Sequence, residues 1–88
     1  MPTLSMFYGI IVRMFNEKGG QHHEPHIHAM YSGDRVVVSL DGRIMEGSLP
    51  ANKMRMLLTW MDIHEDELRA NWQLLLDGET FFKIDPLR

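Results

Sequence analysis

The chain of 88 residues has no cysteine, which excludes disulfides and thiolate-held metal centres and agrees with a reducing, cytoplasmic setting. Long apolar runs are missing too. The strongest, Ile10–Val12 with its flanks, falls far short of the roughly 20 residues that cross a bilayer. The beginning shows no basic segment, apolar stretch and small-residue cleavage site in order. There is no surplus of positive charge: 9 Lys and Arg stand against 12 Asp and Glu, a net −3. That argues against a general nucleic-acid binder while leaving room for a local basic patch. No Gly-rich phosphate loop, activated-serine motif, repeat or low-complexity tract occurs.

What is present describes a small globule. At 44% hydrophobic and 24% charged residues, the composition is that of a folded domain, and residues 1–88 are long enough for one. Eight methionines read as flexible fillers of core gaps, or as an adaptable surface for a protein partner.

The pattern predicts four strands and then two helices. Met6–Phe15 is apolar, β-branched and aromatic, a strand by composition. A polar loop, Asn16–Pro25, leads to His26–Tyr31, with Pro25 suited to a strand's start. Ser32–Gly33 reads as a two-residue turn into Asp34–Leu40. Asp41–Gly42 reads as a second, of type I′, into Arg43–Gly47. From Pro50 the period changes: Ala51, Met54, Leu57, Leu58 and Met61 make one helical stripe, and Leu68, Trp72, Leu75 and Leu76 a second. A break falls near Asp62–His64, where Asp62 and Glu65 suit a capping box, and Gly78 ends the second helix. An extended tail, 79–88, docks Phe81 or Phe82. The expected architecture is α+β, an antiparallel sheet spanning 6–47 with a helical pair, 49–78, on one face.

Two-residue turns fix register. Tyr31 then faces Asp34, so His28 lies opposite Val37 and His26 opposite Ser39. Leu40 faces Arg43, so Val37 lies opposite Glu46 and Ser39 opposite Ile44. Alternation along strands puts Ile27, Ala29, Val36, Val38, Leu40 and Met45 on one face, which receives the helices. His26, His28, Arg35, Val37, Ser39, Ile44 and Glu46 share the other. Arg13 belongs with them, since the opposite choice buries its guanidinium, and Phe7 and Ile11 then shield a shallow pocket.

Four of the five histidines fall in "QHHEPHIH", Gln21–His28. His26 and His28, roughly 6.6 Å apart at Cα on one strand, can reach one divalent metal with Glu46, Glu24, His22 or His23 as third ligand. They can equally exchange protons without a metal, beside an arginine that holds phosphate. This suits phosphodiester cleavage, with His26, His28, Arg13 and Glu46 as the catalytic set. The plain structural reading is two half-buried, hydrogen-bonded strand residues. Trp60 and Trp72 read as core residues, and His22 and His23 as solvated loop residues.

The segments "MPTLSMFYGIIVRMF", "PHIHAMY", "EGSLP", "W…HEDEL…NW" and "KIDPL" resemble, in order and over nearly the whole chain, a family of small bacterial and archaeal proteins described as a domain of unknown function, number four-one-six-zero. The match falls on Gly9, Arg13, Pro25, His26, His28, Ala29, Glu46 and Gly47. The first loop is longer here, with the extra His22 and His23. The resemblance implies no established activity. It implies a two-gene, toxin–antitoxin-like arrangement with a small cognate protein encoded nearby. An active chain is expected to cleave RNA at the histidine face; the alternative is a non-catalytic metal-, ligand- or protein-binding module.

Overall fold

A computed structural model describes residues 3–15 and 24–88. Its element order is β1 (Thr3–Phe7), β2 (Ile10–Arg13), β3 (His26–Tyr31), β4 (Asp34–Ser39), β5 (Ile44–Gly47), α1 (Ala51–Ile63) and α2 (Glu65–Leu76). The strands form one antiparallel sheet in the order β1-β2-β3-β4-β5. The class is the expected α+β, with five strands in place of about four.

The fifth strand arises because Met6–Phe15 is not continuous. Tyr8 (φ 49°) and Gly9 (φ 82°) both turn left-handed, the signature of a type I′ hairpin. Tyrosine is a poor residue for that conformation, so the turn is held from outside. Lys53 of α1 donates through Nζ to the Tyr8 carbonyl at 3.0 Å, and its ammonium sits 4.8 Å over the Tyr31 ring. Phe7 therefore folds back opposite Ile10, enters the core, and places its ring 5.2 Å from that of Trp60. It does not shield the histidine face as expected.

Ser32 (φ 46°) and Gly33 (φ 93°) form the second such turn. The register it sets matches the sequence reading: Tyr31 faces Asp34, His28 faces Val37 and His26 faces Ser39. The Asp41–Gly42 reversal differs. Ser39 N–H bonds to the Arg43 carbonyl and Gly42 N–H to the Ser39 carbonyl, so three residues, 40–42, make the loop. Val38 then faces Ile44 and Ser39 does not. A bulge follows at Met45, with Val37 opposite Glu46. The longer loop shifts the pairing by one residue, and the bulge shifts it back.

The core joins Ile27, Ala29, Val36, Val38 and Leu40 of the sheet to Met54, Leu57, Trp60, Met61, Leu68 and Trp72 of the helices. Burial of each large side chain contributes about 1.5–3 kcal/mol. Ala51 is exposed, unlike its place in the expected stripe, and Trp60 is fully buried instead. The helices meet at His64, which makes no side-chain cap bond, so the Asp62–Glu65 capping box does not form. The tail docks chiefly through Ile84, which is buried, with Phe81 packed partly against the core and Phe82 exposed. Asn71, wholly buried, both donates to and accepts from the Phe82 backbone at 2.9 Å. No helix among the described residues is long and apolar enough to cross a membrane.

Candidate functional site on the histidine face of the sheet

Ladder pairing lines up three rows across one face. Thr3, Arg13, His28, Val37 and Glu46 form the middle row. Met6, Ile11, Met30 and Arg35 form the row on one side, and His26 with Ser39 the row on the other. Burial is greatest in the His26 row, with Val37 buried within the middle row. His26 and Ser39 are 0% and 1% exposed, Arg13 and His28 half-buried, and Met6 63% exposed.

The buried end is closed from α2. The His26 ring lies 5.2 Å from the Trp72 ring, so this imidazole does not point away from the helices as the alternation implied. Its Nδ1 is 2.7 Å from the Glu24 carbonyl. That oxygen only accepts, so Nδ1 carries the proton and donates it. His28 is turned the other way. Its ring meets His26 edge-on at 5.2 Å and Phe15 at 4.7 Å.

Around His28 lies a pocket of about 400 Å³, lined by Arg13, Phe15, Arg35, Val37 and Glu46 among others. Of the expected catalytic set, the fold brings Arg13, His28 and Glu46 together and leaves His26 outside. Arg35 and Phe15 join it. Arg35 was on the right face by alternation, and Phe15, two residues beyond Arg13, continues the same alternation past the end of β2. The Arg13 Nε–H is buried with no hydrogen-bond partner among the described residues.

Next to the closed end, a polar network locks the β4–β5 loop. Ser39 Oγ donates to Asp41, the Arg43 N–H donates to Ser39 Oγ at 3.0 Å, and Arg43 pairs with Glu24. The Ser39 hydroxyl holds the Asp41 carboxyl below its ordinary value; some loss of hydrating water opposes this, and the Arg43 backbone and charge assist. Glu24 in turn raises the Arg43 guanidinium above its own. Glu24 is thus committed to this network. Among the described residues no three His, Asp or Glu side chains are grouped to hold a metal ion, and His22 and His23 lie outside those residues.

The family model described as Domain of unknown function (DUF4160) matches residues 9–73. The chain belongs to that family. No curated protein and no solved structure matches it. The DUF4160 segment runs from the Tyr8–Gly9 turn into α2. It includes every residue that lines the His28 pocket. The β1 strand and the tail that Asn71 holds lie outside it.

Proposed function

We propose that this DUF4160 chain is a cytoplasmic member of a two-gene, toxin–antitoxin-like system, acting with a small cognate protein, and that its pocket cleaves an RNA phosphodiester. The observation that carries the reading is the convergence of Arg13, Arg35, His28 and Glu46 on one pocket. Two guanidiniums suit the non-bridging oxygens of a phosphate, and the buried Arg13 Nε–H supplies a donor that gains from such a partner.

His28 and Glu46 flank the pocket across Val37, two strand spacings or about 9.6 Å apart at Cα. That separation is too long for easy contact but fits an in-line displacement, whose base and acid sit on opposite sides of the phosphorus. Glu46 accepts the proton of the attacking 2′-hydroxyl, the 2′-oxygen bonds to phosphorus, and protonated His28 gives its proton to the departing 5′-oxygen. His26 is a positioning residue: its buried ring, held by Glu24 and Trp72, fixes the His28 ring it touches.

Incubating the purified chain with a single-stranded oligoribonucleotide tests this. Products ending in a 2′,3′-cyclic phosphate are expected, with His28→Ala and Glu46→Ala each slower by about 10²–10⁴-fold. Uncleaved RNA, or variants as fast as the parent, would count against it. The exclusion of His26 from the pocket favours a second reading, a non-catalytic module that binds an anionic ligand on the same arginines. In that case the parent binds RNA, Arg13→Ala releases it, and no product forms.

A further inference from the structure

The pocket occupies only the middle of the face, and the third row extends beyond it. Met6, Ile11 and Met30 make an apolar strip across β1, β2 and β3 that ends at Arg35 on β4. This strip is open where the opposite end of the face is shut: Met6 is 63% exposed, Ile11 and Met30 are half-buried, and Arg35 is exposed. Met30 and Arg35 also line the pocket, so strip and pocket are continuous.

We infer that this strip is the platform on which the unpaired bases of a single-stranded RNA rest while its phosphates cross the arginines. The inference rests on the phosphodiester reading of the pocket and names the form of nucleic acid it takes. Three observations favour that occupant.

The first is charge. The acidic residues Glu65, Asp66 and Glu67 crowd the first turn of α2, whereas among the described residues the middle and open rows of the face carry Arg13 and Arg35 beside one carboxylate, Glu46. A chain of net −3 therefore still offers a polyanion a local cationic track.

The second is spacing. Arg13 and Arg35 stand two strand spacings apart, about 9.6 Å, and two residues apart along the strands, about 6.7 Å. Side chains rooted so far apart can close on one phosphate from two sides, which leaves the flanking bases of an extended strand over the strip. The third is the nature of the surface between and beside them. Phe15 and His28 form a ring pair at 4.7 Å in the pocket, and the adaptable apolar side chain of Met30 adjoins it. Unstacked bases bind such aromatic and apolar sheet surfaces, whereas paired bases keep their faces to themselves.

Fluorescence anisotropy with a labelled single-stranded ten-nucleotide RNA and its duplex tests the inference. The parent chain should bind the single strand at least about ten-fold tighter than the duplex. Met6→Glu should weaken single-strand binding about ten-fold or more. Ile63→Glu, an equal charge change at a residue 62% exposed on α1, should leave it unchanged. If Met6→Glu behaves like Ile63→Glu while Arg13→Ala still weakens binding, the strip is not the platform and the pocket reading survives. If neither Met6→Glu nor Arg13→Ala matters, both fail. Duplex preference overturns the inference. So does a Met6→Glu chain that keeps its RNA affinity but no longer co-purifies with the cognate protein, for the strip is then a protein interface.

Discussion

The rings of His26 and His28, two residues apart on β3, meet edge-on at 5.2 Å, yet they stand in different surroundings. One is sealed against Trp72 with its Nδ1 proton given to Glu24; the other faces a pocket. Removing them should therefore cost different amounts. His26→Ala leaves a cavity beside Trp72 and an unmet carbonyl, and should lower stability by about 2–4 kcal/mol. His28→Ala, at a half-buried position, should cost about 1 kcal/mol or less. Urea unfolding of the two variants measures the order, and a reversed order would refute the placement of His26.

Gly47 and Gly9 both hold positive φ, at 74° and 82°, but what an added methyl meets differs. At Gly47 it would run into the backbone oxygen of Arg35, which also accepts the Ser48 N–H. At Gly9 it would press on the Tyr31 ring, which can turn aside. Gly47→Ala should thus destabilise by about 3 kcal/mol or more, and Gly9→Ala by about 1–2 kcal/mol. Thermal unfolding of both variants decides, and equal losses would show that the Arg35 backbone yields.

These glycines also mark where the sequence is legible. The Ser32–Gly33 turn has a small polar residue before its glycine, and the register of β3 on β4 follows from it. Tyr8–Gly9 carries no such cue: Gly9 sits in an apolar run, and the turn depends on Lys53, distant in sequence. Missing it merged β1 with β2 and sent Phe7 to the wrong face. The Asp41–Gly42 loop was expected one residue too short, yet Glu46 still reached Val37 because Met45 bulges. A loop length and a bulge that compensate each other leave the distant register intact and misplace only the residues between them: Leu40 does not face Arg43, Ile44 does not face Ser39, and Met45 is outside the core cluster.

The site was legible to the same depth. Alternation placed Arg13, His28, Arg35 and Glu46 together because it is local and the β3–β4 register was right. It could not foresee that α2 covers one end of the face, since Trp72 reads as a core residue wherever it packs. The burial of His26 is a tertiary fact.

Asn71 was absent from the expected helical stripe, being polar, but it is wholly buried and clamps the Phe82 backbone with two bonds of 2.9 Å. Asn71→Leu keeps the bulk and strands both backbone groups. It should cost about 2–4 kcal/mol and raise hydrogen exchange at the Phe82 amide. If that amide stays as protected as in the parent, the tail is held without the clamp, by buried Ile84 and by the Trp60 Nε1–H that donates to the Asp85 carbonyl at 2.7 Å.

Among the described residues, Asp41 is a carboxylate whose titration is shifted, and the Ser39 hydroxyl does most to shift it. Donation from the Ser39 hydroxyl is the largest cause of its lowered pKa, and the Arg43 backbone and charge add less. A folded value below the unfolded one means that the ionised form is favoured by folding. The contribution is therefore fully present above the unfolded value of about 3.9 and is lost as pH falls through the folded value. Carbon-detected titration of the Asp41 carboxyl should show its midpoint rise in Ser39→Ala. It should rise less in Arg43→Gln, which keeps the hydroxyl and removes the charge. Full exposure of the carboxylate screens the Arg43 charge more than it weakens a direct hydrogen bond, which sets that order. An Arg43→Gln midpoint that rises further than that of Ser39→Ala would make the ion network, and not the hydroxyl, the group that holds Asp41 ionised.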